Sequence, residues 1–254
     1  TKHILDDVKM ALIVDLISDE ALNTSAIEGE YLNRDSLRSS IRRHFGLHSD
    51  NRKISLAERG IVDMTMDVYR NFTKPLTHKI LFDWHKMVTN GRRDLHNIGR
   101  YRTHDDPMQV VSGPLHKPNV HFEAPPSKTM HKEMSAFIKW FNRTAPDGRD
   151  PLPAVTRASI AHLYFVSVHP FEDGNGRIGR ALVEKALSQS LGKPTLIALS
   201  HVIQKKKKRY YDMLEVSNKD NHIDDWLRYF AATILKAQDT TQQSVEFVIE
   251  KTKL

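Results

Sequence analysis

The 254-residue sequence contains no cysteine. Disulfide bonds, zinc–thiolate centres and thiol nucleophiles are therefore excluded, and a reducing compartment would suit the chain. The sequence also has no uninterrupted apolar run long enough to span a bilayer, and the segment that starts at Thr1 has no basic-then-apolar leader. We therefore expect a cytoplasmic protein that does not associate with membranes.

Acidic residues are outnumbered, with 31 Asp and Glu against 38 Lys and Arg, for a net charge of +7. A basic surface attracts anions, and nucleotides or acidic proteins would suit it as well as nucleic acid would. Hydrophobic residues make up 39% of the chain, which is enough for a proper core. We find no internal repeat and no winged-helix pattern.

The most informative stretch runs from His169 to Arg180 and reads H-P-F-E-D-G-N-G-R-I-G-R. Gly174 and Gly176 allow positive φ and a close approach of the backbone to a ligand. The residues that follow, 181–191, have the apolar pattern of a helix. A helix that begins within the motif directs free N–H groups and the positive end of its dipole at whatever lies over the loop. This arrangement indicates an anion site.

Charged side chains of the same stretch indicate which anion it binds. Arg177 and Arg180 share a helix face, and each can fork onto phosphate oxygens. Asp173 would repel a bare phosphate unless Mg²⁺ bridges the two. A neutral His169 can accept a proton near pH 7. The motif thus predicts a magnesium-bound polyphosphate beside a base for an attacking hydroxyl, and its spacing fits neither the Walker pattern nor H-E-x-x-H.

The stretch resembles the signature of Fic-domain proteins, H-x-F-x-[DE]-G-N-G-R-x-x-R. The resemblance implies an all-α, mainly helical fold with a small β-hairpin flap. It implies a protein adenylyltransferase, which transfers AMP from ATP to a Ser, Thr or Tyr hydroxyl of a target protein or of itself. A polar turn between packed helices is the alternative. All eight fixed positions match: His169, Phe171, Asp173, Gly174, Asn175, Gly176, Arg177 and Arg180.

The resemblance also implies a role for each polar residue. His169 would be the general base, and Asp173 would hold Mg²⁺ between the α- and β-phosphates. Asn175 and nearby backbone N–H groups would stabilise charge on the α-phosphoryl oxygens. Arg177 would bind the β-phosphate, and Arg180 the γ-phosphate. The expected catalytic residues are His169, Asn175 and Arg177. Phe171 would also plug the loop into the core, and Tyr211 would contact adenine. The expected ATP-binding residues are Phe171, Gly174, Asn175, Gly176, Arg177, Arg180 and Tyr211.

A second pattern lies upstream, in Thr24-Ser-Ala-Ile-Glu28-Gly29. Ser25 and Glu28 could form a local capping box, with Gly29 stopping a helix. The resemblance implies instead an inhibitory helix of pattern [ST]-x-x-x-E-[GN], filled by Thr24, Glu28 and Gly29. Glu28 would pair with Arg180 and block productive seating of the γ-phosphate. Removal of AMP by the resting form, with Glu28 positioning water, stays open.

The composition changes between Gly99 and Pro126, where we expect two short strands at 108–111 and 120–122. An isolated hairpin in a helical protein has little core to bury, so it should have another task. The resemblance implies a flap whose exposed edge holds the target segment by main-chain hydrogen bonds; a decorative insertion is the alternative. The expected docking residues are Met108, Gln109, Val110, Val111, Val120, His121 and Phe122.

Apolar periodicity and capping residues predict the remaining elements. We expect an N-terminal helical segment at 1–54, a Fic catalytic domain at 55–237 and a helical tail at 238–254. Thr77 and Ser127 are predicted N-caps. The predicted helices cover residues 4–32, 33–45, 56–72, 77–89, 128–142, 154–168, 195–203 and 224–235.

Other functions stay open. The loop could transfer another nucleotide, phosphate or phosphocholine, or bind a nucleotide without turnover, and a homodimer is compatible with either. Lys205 to Arg209 could bind nucleic acid, although a solvated helix face is the simpler interpretation. His162, His169 and Asp173 could also form a metal triad, but one hard cation on Asp173 needs no imidazole.

Overall fold

The computed structural model describes residues 2–50, 52–112, 119–219 and 222–251, with backbone alone at 2–6, 110–112 and 119–121. These residues form ten α-helices, one 3₁₀ turn and a two-stranded hairpin, which confirms the predicted all-α class. The elements are α1 Lys2–Ile27, α2 Arg34–His44, α3 Leu56–Asn71, α4 His78–Val88, β1 Gln109–Ser112, β2 Asn119–Glu123, a 3₁₀ turn at Ser127–Thr129, α5 Met130–Arg143, α6 Ala154–Val168, α7 Asn175–Leu191, α8 Leu199–Lys205, α9 Lys207–Ser217 and α10 Asp224–Lys251.

α1 ends earlier than its apolar pattern predicts. Gly29 takes a φ of +83°, a conformation that a glycine after a helix end adopts without strain. The Glu30 N–H turns back to the Ser25 carbonyl at 3.0 Å, which closes the last turn. The capping box between Ser25 and Glu28 is therefore wrong, because these residues lie at the end of a helix. Glu28 follows the helix directly instead of lying on it.

Capping side chains begin α2 to α4 where the sequence predicts. The Asn33 side chain accepts from the Ser36 N–H at 3.0 Å, and Thr77 accepts from the Ile80 N–H at 3.2 Å. Each bond satisfies one of the N–H groups that a helix start leaves free. The helical class therefore has local causes as well as a buried core.

α6 and α7 form the centre of the molecule and pack against each other. α6 is apolar on nearly every side and α7 is buried along most of its length, because other helices cover both of them. α5 and α10 pack on α6, and α1, α3 and α4 pack on α7. The six-residue link between the two central helices, residues 169–174, is the motif loop, so the site is held by the most buried part of the fold.

Two predicted helix starts are wrong. Ser127 does not cap α5; it lies in the 3₁₀ turn, and its hydroxyl accepts a hydrogen bond from Arg102 at 2.8 Å. The helix predicted at 195–203 begins only at Leu199, because Thr195 is tied to α7 through the Ser188 hydroxyl. Side-chain bonds to neighbouring elements outweigh the local pattern in both places.

α10 continues to Lys251 and so crosses the predicted boundary between the catalytic domain, which ends at residue 237, and the tail, which begins at residue 238. Trp226 and Phe230 anchor its first half in the core, and its second half carries mostly exposed polar residues. Along the described stretches of the chain, no helix combines the length and the apolar character that crossing a bilayer requires.

The hairpin pairs β1 with β2 in antiparallel register, with an irregularity between Val110 and Val111. The predicted strands are confirmed, with bounds one residue off at each of the four ends. Met108 lies just before β1, yet its carbonyl accepts from the Ala124 N–H at 2.9 Å and extends the ladder. No third strand joins this sheet within the described residues, so both outer edges are open there.

Candidate active site

The motif loop is bounded by two residues in left-handed backbone conformation. His169 ends α6 with φ 49° and ψ 58°, and Gly174 precedes α7 with φ 84°. In the described part of the chain, His169 is the only residue other than glycine with a positive φ. That conformation costs an L-residue about 1–2 kcal/mol and is kept where its surroundings impose it. The chain turns sharply at both ends of the short loop that joins His169 to the N-terminus of α7.

Phe171 fixes the middle of the loop in the core. Its ring is fully buried and stacks on His85 with centroids 4.1 Å apart. The predicted plug is therefore confirmed, but a buried ring cannot touch a nucleotide, so Phe171 would support ATP binding only through the loop. His85 belongs to the core, and burial lowers its pKa to about 4.

Asn175 holds the loop backbone. Its amide donates to the Phe171 carbonyl at 2.8 Å and accepts from the Phe171 N–H at 3.0 Å, and its side chain is 2% exposed. The expected direct contact of this amide with an α-phosphoryl oxygen does not fit these bonds. Asn175 instead fixes the bend from which the first N–H groups of α7 emerge.

The hydrogen bond of the His169 ring defines its tautomer. Nδ1 lies 3.3 Å from the Val166 carbonyl oxygen, which can only accept, so Nδ1 carries the proton and Nε2 keeps its lone pair. Burial lowers the pKa of His169 to about 4, and the Arg102 charge acts in the same direction. The imidazole is therefore neutral at pH 7, with Nε2 available to accept a proton.

Arg180 is held by the end of α1. Its Nε donates to the Thr24 hydroxyl at 2.7 Å, and its Nη2 donates to the Thr24 carbonyl at 2.9 Å and to Glu28 Oε1 at 2.7 Å. Burial alone would lower the pKa of Arg180, but the Glu28 charge outweighs it and raises that pKa. Thr24 and Glu28 thus engage the second arginine of the motif together.

The Glu28 carboxylate also lies over the start of α7. A Cβ built on Gly176 would collide with Glu28 Oε1, so only glycine allows this approach. The carboxylate thus occupies the position where a helix N-terminus favours an anion. The Tyr211 hydroxyl donates to the other oxygen, Oε2, at 3.3 Å.

Arg177 has a partner that the sequence did not indicate. Its Nη1 donates to Glu30 Oε2 at 2.7 Å and to the Val88 carbonyl at 3.2 Å, while Nη2 approaches Asp173 Oδ1 at 3.3 Å. Its Nε is buried without a hydrogen-bond partner among the described residues. Two carboxylates of the N-terminal segment, Glu28 and Glu30, therefore each contact one arginine of the motif.

Asp173 lies between two guanidinium groups. Arg92 Nη1 donates to its Oδ2, and Arg177 approaches Oδ1. Burial alone would raise the pKa of Asp173, but the Arg177 and Arg92 charges outweigh it and lower that pKa. The carboxylate is ionised at neutral pH and still partly exposed, which fits a Mg²⁺ ligand that shares the ion with phosphate oxygens and water.

The metal triad of His162, His169 and Asp173 that the sequence allows is wrong. His162 is fully buried, and its Nε2 lies 2.7 Å from the Tyr210 hydroxyl. The His162 ring also stacks on the Phe230 ring, with the two centroids 4.9 Å apart. Across the described ranges, no group of three or more His, Asp or Glu side chains is arranged to hold a metal ion. His162 is therefore a core histidine.

The basic run at Lys205–Arg209 does not form one helix face. Lys206, with φ −126° and ψ 34°, separates α8 from α9, so the five residues point in different directions. Most of them are exposed, and the Arg209 guanidinium lies over the Tyr229 ring at 5.6 Å. A solvated surface explains this run without nucleic acid.

The flap residues are only partly described. Gln109 donates across the hairpin to Glu123 Oε2 at 2.8 Å, and Phe122 is partly buried. The side chains of Val110, Val111, Val120 and His121 lie outside the described residues. The described feature of the flap that a target strand could use is thus its open backbone edge.

Sequence reasoning missed Arg92, Glu30 and Arg102. Arg92 bridges Asp173 and Asp94, and Arg102 donates from Nε to the His169 carbonyl at 2.8 Å. None of these residues lies in a recognisable motif. Their only signal is charge near the edges of predicted helices, which occurs at many other positions of this chain.

Comparison with known proteins agrees with this geometry. Residues 75–187 match the Fic/DOC family, and residues 1–47 match a domain of unknown function, DUF4172. The chain is similar to Protein adenylyltransferase Fic of Culex quinquefasciatus, with 35% identity over 98 residues that make up 39% of this chain and 18% of that protein. The Drosophila melanogaster protein of the same name is 30% identical over 106 residues, 42% of this chain and 20% of that one. The chain thus spans about a fifth of the length of these curated relatives.

Solved structures share the fold. A Fic domain containing signaling protein from Bacteroides thetaiotaomicron VPI-5482 gives a TM-score of 0.68 at 19% identity, covering 95% of this chain and 89% of that one. Fic-1 from C. elegans gives 0.62 at 22% identity, covering 100% of this chain and 75% of that one. The motif, its backbone geometry and the family match agree that residues 75–187 of this chain form a Fic domain.

Proposed function

We propose that this protein transfers AMP from ATP to a hydroxyl group of a protein, itself included. The observation that carries the proposal is the neutral His169 ring, bonded through Nδ1, at the head of a short loop that leads into the helix N-terminus that bears Arg177 and Arg180. The similarity to proteins named adenylyltransferases supports the nucleotide and the reaction. The attacking hydroxyl gives its proton to Nε2 while its oxygen bonds to the α-phosphorus, and pyrophosphate leaves.

The start of α7 stabilises the charge that develops on the α-phosphoryl oxygens. Its free N–H groups around Gly176 are fixed in place by Asn175, so no reorganisation is needed in the transition state. Arg177 binds the β-phosphate and Arg180 the γ-phosphate, each through a charge-assisted fork. Tyr211, 37% exposed beside Glu28, lies on the side where we place the base.

Asp173 is the residue that would hold Mg²⁺ with the phosphates. When bound, the ion neutralises phosphate charge and favours pyrophosphate as the leaving group. Arg92 must then release Oδ2 of Asp173, and its guanidinium becomes free to face the phosphates. The partly exposed position of Arg92 permits this exchange.

We propose that the resting protein is autoinhibited by Glu28 and Glu30. Their carboxylates bind Arg180 and Arg177, the groups that must receive the two outer phosphates. Glu28 also covers the anion position at the start of α7. ATP would therefore have to displace both carboxylates before its α-phosphorus could face His169.

The target would dock at the open edge of the hairpin and present its hydroxyl to His169. A two-stranded sheet with free N–H and C=O groups can accept a further strand, which gives main-chain affinity with little demand on sequence. A cytoplasmic location stays a prediction, with which the absence of cysteine is compatible.

Intact-mass spectrometry after incubation with MgATP tests the function. We expect the Glu28→Gly variant to gain AMP adducts faster than wild type, and the Glu28→Gly, His169→Ala double variant to gain none while still binding ATP. Adducts on the double variant would remove His169 as the base. If no variant gains an adduct and no pyrophosphate is released, the protein is a nucleotide-binding module. If a panel of other donors gives adducts of another mass, the protein is a different transferase. Loss of AMP from labelled protein added to wild type would reveal the reverse activity.

A further inference from the structure

We infer that Arg102 is a positioning residue that fixes the His169 backbone and joins it to the segment that leaves the hairpin. The inference rests on the proposed AMP transfer, because it gives Arg102 the task of holding the base. Arg102 follows α4 by more than ten residues and belongs to no helix or strand. Its backbone and its side chain both contact the motif loop.

Arg102 binds two consecutive carbonyl groups of the loop. Its Nε donates to the His169 carbonyl at 2.8 Å, and its backbone N–H donates to the Pro170 carbonyl at 3.0 Å. These bonds hold the residue whose positive φ is unfavourable for a side chain with a Cβ. A strained backbone persists only where its neighbours impose it. Substituting Arg102 would remove the side-chain bond to the His169 carbonyl, whereas the backbone bond to Pro170 would remain.

The other end of the same guanidinium reaches the chain beyond β2. Nη1 donates to the Ser127 hydroxyl at 2.8 Å, and Nη2 donates to the Pro125 carbonyl. One rigid planar group thus spans from the loop that carries the imidazole to the exit of the hairpin. A target segment docked on that hairpin would have its distance to His169 Nε2 set through Arg102. Misplacement of reacting groups by about 1 Å can lower a rate about 100-fold.

Arg102 also places an uncompensated charge near the base. Its side chain is 1% exposed, its hydrogen-bond acceptors are carbonyl and hydroxyl oxygens, and no ion pair to a carboxylate is found for it among the described residues. Burial lowers the pKa of Arg102, yet a guanidinium stays protonated at neutral pH. The charge favours the neutral form of the nearby imidazole, so one side chain supplies both the geometry and the electrostatics.

Arg157 is a matched control for the loss of a buried arginine. It is also fully buried, and it donates to the Phe141 carbonyl at 2.9 Å and to Gln189 at 2.8 Å. Its contacts join α6 to α5 and α7, away from the motif loop. Substituting Arg157 therefore disturbs the core without touching the His169 turn.

The test uses the full chain in the Glu28→Gly background and compares Arg102→Met and Arg102→Lys with Arg157→Met and Arg157→Lys. The first readout is the NMR titration of the His169 ring nitrogens without ATP, which does not depend on transfer. We expect the parent and both Arg157 variants to hold the proton on Nδ1. Arg102→Met should give a mixture of tautomers and a titration raised by roughly half a unit or more. Arg102→Lys should mix the tautomers with a smaller change in titration, because the charge is kept.

The second readout is AMP incorporation at varied ATP. Both Arg102 variants should lose about 10- to 100-fold in kcat, with KM for ATP within about twofold of the parent. A His169 ring with unchanged tautomer and titration in the Arg102 variants would overturn the inference, and so would equal losses in the Arg157 variants. If Arg102→Met fails to fold, Arg102→Lys decides, since lysine cannot span the His169 and Pro125 carbonyls. A parent that transfers no AMP would refute the proposed function, whereas the NMR readout would still decide the role of Arg102.

Discussion

Nη1 of Arg177 lies 2.7 Å from Oε2 of Glu30, only two residues beyond the glutamate that binds Arg180. The turn at Gly29 separates the two carboxylates, so they reach different arginines of one helix. A single short segment therefore occupies both arginines that we propose as phosphate-binding side chains. The resting site is held by two ion pairs, and removal of one leaves the other in place.

The first prediction concerns Glu30. We expect Glu30→Gln, combined with Glu28→Gly, to increase AMP incorporation by roughly three- to tenfold over Glu28→Gly alone, mainly through a lower KM for ATP. The charge-assisted bond to Arg177 would be lost, and its contribution is moderate because the Glu30 side chain is 33% exposed. Glu250→Gln, on the exposed end of α10, is the control. An unchanged KM would show that Glu30 does not compete with ATP.

The second prediction concerns magnesium. Asp173→Asn should raise the Mg²⁺ concentration needed for half-maximal transfer at least about tenfold, because an amide is a poor ligand for a hard cation. Asp94 shares Arg92 with Asp173 but lies outside the motif, so Asp94→Asn is the matched control and should keep the parent requirement. The measurement is AMP incorporation titrated with Mg²⁺ at fixed ATP. Equal effects of the two substitutions would argue against Asp173 as the ligand.

The third prediction is the pH profile of transfer. Burial holds the pKa of His169 at about 4, so the base stays neutral well below its usual value of 6.5. For Glu28→Gly, kcat/KM should therefore show no fall between pH 7.5 and about 5.5. Fluorescence at each pH would verify that the protein remains folded. An inflection near 6.5 would mean that His169 is solvated in the active form.

The fourth prediction is the pH dependence of stability. Burial lowers the pKa of His162 to about 3, so the unfolded chain binds a proton at this residue between about pH 3 and 6.5 that the folded chain does not. Stability contributed by the neutral ring is thus complete above 6.5 and is lost as pH falls, by up to about 1.4 kcal/mol per pH unit.

His162→Phe removes that proton while keeping a ring against Trp226 and Phe230. We expect its free energy of unfolding, from urea titrations at pH 5 to 7.5, to depend less steeply on pH than that of wild type. At pH 7 the variant should be less stable by about 1–3 kcal/mol, because the Tyr210 hydroxyl loses its partner. If the variant and wild type showed the same pH dependence of the free energy of unfolding, His162 would bind a proton as readily in the folded state as in the unfolded state.

The amino-acid sequence by itself determined the helical class, most helix starts and the identity of the motif. These depend on local causes: side-chain caps such as Asn33 and Thr77, apolar periodicity, and glycines where the chain needs a positive φ. The Glu28 to Arg180 pair was also foreseen, but only through the family resemblance.

The tertiary structure alone decided which side chains meet at the site. Glu30 and Arg177 are 147 residues apart, and Arg102 and His169 are 67 apart. Periodicity tells which face of a helix is buried but not which residue of a distant segment covers it. The partner of Asn175, the Phe171 backbone, was not foreseen for the same reason, because it is defined by the bend of the loop and not by the order of its residues.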